Sequence, residues 1–251
     1  GRAMKGSVSI LNFDDVYKNQ KFFKKINYEW IELSDIKSTN RYCGPESLEI
    51  LNKRLAKRKN QGISFIGSGN YHYISYLFIS EFQMPFTLIL FDHHTDMIRP
   101  IFDSLISCGS WVLEALEELP MLERVIMIGV NQDLIETIPS NLNERVCFYG
   151  EDYALEEEDI VSKIPTNNVY ISIDKDVLAK SETLVNWDQG SMELKQLIKL
   201  VKYIDIHKNV CGADICGEYS IAPPESFLHK SQKAVLMNDR ANRIILKALM
   251  N

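Results

Sequence analysis

Short runs of β-branched and aromatic residues alternate with segments of helical periodicity along almost the whole chain. This alternation is typical of βαβ units, in which crossover helices join parallel strands. The pattern predicts eight strands: Val8–Phe13, Glu29–Leu33, Ser64–Ile66, Thr87–Phe91, Arg124–Ile128, Val146–Phe148, Val169–Ile173 and Val210–Asp214. We therefore expect an α/β protein.

Helical periodicity fills most of the intervals between these strands. The predicted helices are Pro45–Lys59, Tyr71–Glu81, Ser110–Leu119, Glu156–Lys163, Met192–Ile204 and Ser231–Leu249. Ser191 is the expected N-cap of the fifth, because its hydroxyl can accept from the first free N–H groups. The sixth helix mixes apolar and basic residues and could dock on the sheet or on a second subunit, so a homo-oligomer stays open.

Chain length and composition fit one domain. The chain has 251 residues, of which 45% are hydrophobic, enough for a substantial core. Gly1-Arg2-Ala3 precede Met4 and look like a cloning remnant, so a single domain over 4–251 is expected.

Charge and cysteine usage exclude several classes of function. The net charge of −6 gives no broad basic surface, which argues against nucleic acid and favours a small molecule or a protein as partner. The sequence has neither an apolar run of about 20 residues nor a signal pattern, so no membrane association is expected. Five cysteines without C-x-x-C spacing suggest neither a disulfide framework nor a zinc knuckle, which fits the reducing cytoplasm.

Three predicted strands end in carboxylates or imidazoles. In the stretch FDHHTDM, Asp92, His94 and Asp96 alternate, so in an extended chain their side chains point the same way. Each group alone could be a solvated strand end or a hydrogen-bonded histidine. Parallel strands, however, present their carboxyl ends at one edge, where ligands bind. The side chains expected to meet there are His72, Asp92, His94, Asp96, Asp174 and Asp176.

The charge of this set indicates a pair of metal ions. Four aspartates and two neutral histidines carry a formal charge of −4, which cannot persist in a water-poor cleft without counter-charge. Two divalent cations balance it, whereas one would leave about two charges uncompensated. Oxygen-rich ligands without thiolate favour hard ions, so we expect two Mn²⁺, with other divalent metals possible.

Three motifs resemble those of the ureohydrolases, the arginase and agmatinase superfamily: Gly67-Ser-Gly-Asn-Tyr-His72, Asp92-His-His94-Thr-Asp96 and Ser172-Ile-Asp174-Lys-Asp176. The resemblance covers roughly residues 60–220. It implies a three-layer α/β/α fold with a mostly parallel, about eight-stranded sheet. It also implies a dimanganese site whose bridging hydroxide hydrolyses a guanidino or similar C–N bond, with release of urea.

The resemblance further implies a role for each ligand. His72 would bind one ion and His94 the other, and Asp176 would complete the second ion. His93 would face away from the metals. The shared or bridging ligands would be Asp92, Asp96 and Asp174, of which Asp96 also counts among the catalytic residues.

Two departures from the family pattern bear on catalysis. Cys108 stands where members often carry a histidine proton shuttle; its thiol could donate a proton to a departing amine, or could simply be a small buried residue at a helix start. Glu218 is the nearest match, one residue late, to the glutamate that pairs with the substrate guanidinium. An exposed loop glutamate is the alternative.

The substrate stays open at this point. Residues that bind the amino-acid end of free arginine in arginases lack clear counterparts in this sequence. Arginine-like, agmatine-like and peptidyl-arginine substrates are therefore all candidates. Two other functions fit parts of the sequence. One is a mononuclear zinc amidohydrolase of the deacetylase type, and the other is a metal-binding scaffold without turnover.

Overall fold

The computed structural model describes residues 7–59, 61–220, 225 and 228–250. The proposed remnant Gly1–Ala3 lies outside this range. Eight of the described strands form one sheet in which every pair is parallel: β1 Ser7–Asn12, β2 Asn27–Glu32, β4 Ile63–Gly67, β5 Phe86–Phe91, β7 Leu122–Val130, β8 Val146–Gly150, β9 Asn168–Asp174 and β10 Asn209–Cys216. Two short strands, β3 Tyr42–Cys43 and β6 Ile106–Ser107, pair antiparallel beside it.

Helices cover both faces of the sheet. Their bounds are α1 Pro45–Ala56, α2 Ile74–Ile79, α3 Trp111–Glu118, α4 Glu157–Ser162, α5 Leu194–His207 and α6 His229–Met250. The first three pack into one hydrophobic core and the last three into another, so the sheet lies between two helical layers. In the described part of the chain, no helix is both long and apolar enough to cross a membrane.

The sequence predicted this architecture closely. Each of the eight predicted strands overlaps an observed strand of the large sheet, and each predicted helix overlaps an observed one. The N-cap of α5 was predicted wrongly: it is Glu193, not Ser191. The Leu194 N–H instead donates to the carboxylate of Glu182, which reaches this helix start from the preceding loop.

Strand order positions the candidate ligands. The sheet runs β2-β1-β4-β10-β9-β5-β7-β8, so β4, β10, β9 and β5 are consecutive neighbours. The loops that carry ligands follow β4, β9 and β5. Because all strands are parallel, these loops leave the sheet at the same edge.

Candidate metal centre

A tight turn after β4 places His72 above the sheet edge. Gly67 has φ +104°, a conformation that favours glycine, and its N–H donates to the Tyr17 hydroxyl at 2.7 Å. A single turn of 3₁₀ helix over Gly69–Tyr71 follows, and His72 comes directly after it. The imidazole is 1% exposed.

Three carboxylates surround one nitrogen of His72. Its Nδ1 atom lies 3.1 Å from Asp96 Oδ2, 3.4 Å from Asp92 Oδ2 and 3.4 Å from Asp174 Oδ2. None of these approaches has hydrogen-bond geometry, so the buried Nδ1 and Asp92 Oδ2 lack hydrogen-bond partners. Ligand atoms around a cation converge in this way, and we call this set the His72 position.

A second set lies on the other side of Asp92. His94 Nδ1 is 2.8 Å from Asp176 Oδ2 and 3.6 Å from Asp92 Oδ1. We call these three residues the His94 position. The two oxygens of Asp92 thus face different histidines, and Asp92 belongs to both positions.

Backbone N–H groups anchor one oxygen, Oδ1, of each of three carboxylates. The His94 N–H donates to Asp92 Oδ1 at 2.8 Å, and the His93 N–H to Asp176 Oδ1 at 3.0 Å. The Asp176 N–H donates to Asp174 Oδ1, also at 3.0 Å. With Oδ1 anchored in this way, Asp174 directs Oδ2 at His72 Nδ1, and Asp176 directs Oδ2 at His94 Nδ1.

A hydrogen-bond chain fixes the orientation of His72. The Ser172 and Tyr170 hydroxyls donate to Asp214 at 2.7 and 2.8 Å. Since the Ser172 proton goes to Asp214, Ser172 Oγ accepts from His72 Nε2 at 2.8 Å. With a proton on Nε2, Nδ1 is the nitrogen that could give its lone pair to a cation among the carboxylates, as metal-ligating histidines require.

Asp96 is held in a strained conformation. Its φ is +53°, in the left-handed region that aspartate adopts less readily than glycine. The indole N–H of the fully buried Trp111 donates to Asp96 Oδ2 at 2.7 Å. Strain that neighbouring groups maintain in this way is common at functional sites.

The electrostatics of the cluster show an excess of negative charge. The pKa of Asp92 is raised to about 6. Burial is the main cause, and the negative charges of Asp96 and Asp174 add to it. Burial likewise raises the pKa of Asp176 well above its ordinary value, with Asp174 and Asp92 adding to the effect. Burial alone would lower the pKa of His94, but its contacts with Asp176 and Asp92 raise it to about 12.

These residues fit a pair of divalent cations. Lysine and arginine side chains do not compensate the cluster, since no described lysine or arginine forms an ion pair with any of its aspartates. The unpartnered Nδ1 of His72 and Oδ2 of Asp92 are the atoms that a metal would satisfy.

A cavity of about 130 Å³ opens above the cluster. Ile98, Leu134 and Trp187 form apolar walls, and the charged residues in the described lining all belong to the two metal positions. The Trp187 indole N–H donates to Asn70 Oδ1 at 2.9 Å, and its ring packs edge-on against His94. The guanidinium of the exposed Arg41 lies over this indole, 5.1 Å from the ring centre.

Cys108 lines the same cavity. Its backbone N–H donates to the Arg41 carbonyl at 2.9 Å, and Asp96 belongs to the same cavity lining. Burial, and after it the charge of Asp96, raise the pKa of Cys108 to about 12, so the sulfur carries its proton at neutral pH.

Glu218 occupies a different environment from the one expected of a substrate ligand. It is fully buried, and its carboxylate forms an ion pair with the equally buried Lys175. It also accepts from Gln20 Nε2 at 2.7 Å and from Asn242 Nδ2 at 3.0 Å. Protein groups thus occupy both oxygens, and Glu218 is absent from the described cavity lining.

Sequence reasoning gave no role to several residues that complete this region. Trp111, Ser172 and Asp214 hold ligands, and Cys216 lies with its sulfur beside His72 and Asp174. The sequence did contain a signal for Ser172. It precedes Asp174 by two residues, so its side chain lies on the same face of β9 as this ligand. Cys216 is likewise the last residue of its strand, β10, and it is paired with Asp174 of the neighbouring strand β9.

Comparisons with known proteins identify relatives of this chain. The chain is 30% identical over 243 residues to an uncharacterized protein of Thermotoga maritima, a match that covers 96% of this chain and 89% of the relative. It resembles the solved structure of formimidoylglutamase from Bacillus subtilis, with a TM-score of 0.68, 19% identity, and coverage of 99% of this chain and 87% of the other.

Two further solved structures share the fold. An agmatine ureohydrolase of Thermoplasma volcanium gives a TM-score of 0.66 at 13% identity, covering 100% of this chain and 91% of the other. An arginase from Bacillus caldovelox gives 0.67 at 14% identity, covering 98% of both. The sequence profile of the arginase family matches residues 4–224, and the chain therefore belongs to the arginase family.

Proposed function

We propose that this protein is a binuclear metal hydrolase that cleaves a C–N bond of a guanidino group or a similar linear amidine. Membership of the arginase family and the named activities of the structural neighbours support a hydrolase of this class. The metal number, the metal identity and the substrate are the parts that we add.

The division of Asp92 between two histidines carries the proposal. His72 Nδ1 faces one oxygen of this carboxylate at 3.4 Å and His94 Nδ1 faces the other at 3.6 Å. A single ion would use only one side of this arrangement and would leave the second set of ligands uncompensated. Oxygen ligands outnumber imidazoles in the cluster, which favours Mn²⁺ as the first metal to test.

When bound, the cations would activate a water molecule and polarise the carbon that is attacked. The protein's own residues supply the remaining functions. Ser172 and Trp111 hold His72 and Asp96 in place, and the apolar walls exclude bulk water. Cys108 lines the cavity, and its protonated thiol is the group that we propose as donor to the departing amine.

Cavity size and polarity limit the substrate. A volume of about 130 Å³ admits the end of a slender chain. Once cations neutralise the ligands, the described lining offers no further acid to pair with a substrate cation. We therefore propose that a planar amidine group is bound mainly by the metal centre and by Trp187, rather than by a separate carboxylate.

The test is metal content together with product release. Protein purified without chelator and reconstituted with Mn²⁺ should contain two metal equivalents per chain and hydrolyse one member of a panel of arginine, agmatine, arginine-containing peptides and formimidoyl amino acids. Urea, ammonia and formamide would be measured. The matched control is Asp174→Asn, which should bind at most one equivalent and show no turnover.

Other outcomes would replace the proposal. One tightly held zinc together with hydrolysis of an acylated lysine would indicate the deacetylase alternative. Two bound metals without turnover of any amidine in the panel would indicate a scaffold.

A further inference from the structure

Cys216 lies beside the His72 position. It ends β10 between Gly67 of β4 and Asp174 of β9, and it is fully buried. Its Sγ atom, one ring nitrogen of His72 and one carboxylate oxygen of Asp174 all lie within 4.8 Å of one another. Among the described residues, no other cysteine forms such a group with potential ligands.

A second observation identifies this place as a ligand site. The Nδ1 atom of His72 is buried without a hydrogen-bond partner, although three carboxylate oxygens lie within 3.4 Å of it. A buried polar atom in this condition needs a partner that the protein itself does not supply. Asp174 joins this nitrogen to the cysteine: its Oδ2 atom lies 3.4 Å from His72 Nδ1, and it also forms a group of potential ligands with the Cys216 sulfur.

The chain passes close to Asp174 directly after Cys216. Gly217, directly after Cys216, has φ +94°, and a Cβ atom there would lie 2.7 Å from Asp174 Oδ1. Only glycine allows this close passage of the chain. The end of β10 is therefore packed tightly against the carboxylate that both it and His72 face.

We infer that Cys216 is a thiolate ligand of the cation at the His72 position, and that this position takes Zn²⁺, Fe²⁺ or Co²⁺ in preference to Mn²⁺. Soft thiolate ligands select such ions, whereas carboxylate oxygens suit Mn²⁺. The His94 position contains no described sulfur and keeps the preference for a harder ion. The two positions thus differ in metal preference.

Binding involves no redox change. The S–H bond of Cys216 breaks, a metal–sulfur bond forms, and the proton passes to solvent. The inference rests on the proposed function in one respect: it requires that the cluster binds metal.

Cobalt(II) titration of the metal-free protein, under anaerobic conditions, tests the inference. Thiolate ligation gives an intense charge-transfer band in the near ultraviolet, and cobalt itself gives weak visible bands. We expect the near-ultraviolet band to saturate after one equivalent while the visible bands grow to two. Cys216→Ser should abolish the band and weaken cobalt binding by about 10- to 100-fold or more, since even groups that only hold a ligand contribute that much.

Two controls locate the sulfur. Cys147→Ser alters a cysteine on the edge strand β8 and should leave the band intact. Cys108→Ser removes the other thiol near the ligands, and loss of the band there instead would overturn the inference. So would persistence of the band in Cys216→Ser.

X-ray absorption on wild-type protein with zinc gives a result that needs no variant. A sulfur scatterer at about 2.3 Å is expected. Two bound metals with only nitrogen and oxygen neighbours would overturn the thiolate ligand and leave the proposed function standing. Failure to bind any metal would overturn both.

Discussion

His93 and His94 are neighbours in the chain, yet their imidazoles have different partners. His94 Nδ1 lies 2.8 Å from Asp176 Oδ2, whereas His93 Nδ1 lies 3.7 Å from Glu151 Oε2. Only the backbone of His93 reaches the cluster, through its N–H bond to Asp176. One imidazole therefore faces the proposed cations and the other does not.

This difference gives a matched pair of variants. We expect His94→Ala to lower metal content from two equivalents to one, because the His94 position loses its only nitrogen ligand. His93→Ala should retain two equivalents, since its backbone N–H remains. Elemental analysis after reconstitution measures both, and equal loss in the two variants would contradict the assignment.

Asp92 is expected to matter to both metal positions. Asp92→Asn keeps the shape of the side chain but removes the charge that the two cations share, so metal content should fall to one equivalent or less. Asp133→Asn changes an exposed aspartate elsewhere and serves as the control. Two equivalents in Asp92→Asn would mean that the two cations do not share this carboxylate.

The hydrogen bond from His72 to Ser172 can be isolated from the rest of its network. Ser172→Ala and Tyr170→Phe each remove one hydroxyl donor to Asp214, but only Ser172 contacts His72. We expect Ser172→Ala to weaken metal binding by about 10- to 100-fold and Tyr170→Phe to have a smaller effect. Competition with a metal chelator measures both affinities.

Metal binding should stabilise the fold. A ligand that binds only the native state at about 100 times its Kd contributes about 2.7 kcal/mol. For a chain of this length that corresponds to roughly 5–10 °C in Tm. Calorimetry with and without Mn²⁺ should show this gain in the wild type and little of it in Asp92→Asn, where an equal gain would point to binding elsewhere.

The Lys175–Glu218 pair is expected to contribute to stability rather than to substrate binding. Glu218→Gln leaves a buried lysine without its counter-charge, which costs about 3–5 kcal/mol in the free energy of unfolding. Replacing both residues by methionine should restore most of that loss. Denaturant unfolding measures each variant. A Glu218→Gln protein of unchanged stability but without turnover would instead support Glu218 as a substrate-binding residue.

The sequence predicted strands, helices and six candidate ligands because those depend on local periodicity and on which residues end each strand. It did not predict β3 and β6, which are two residues long and pair across more than sixty positions. Cys216 and the partner of Lys175 were missed for a related reason. The position of Cys216 and the pairing of Lys175 with Glu218 depend on strand order and helix docking. A single cysteine or lysine has no sequence spacing that would indicate them.

The place of β10 has a consequence for how the protein matures. Among the described strands it comes last in the chain, but it lies between β4, whose following turn carries His72, and β9, which ends at Asp174. A nascent chain that has not yet released β10 from the ribosome therefore cannot bring these two ligands into register. We expect metal loading at the His72 position to follow the docking of this strand, so that acquisition of this ion reports the insertion of β10.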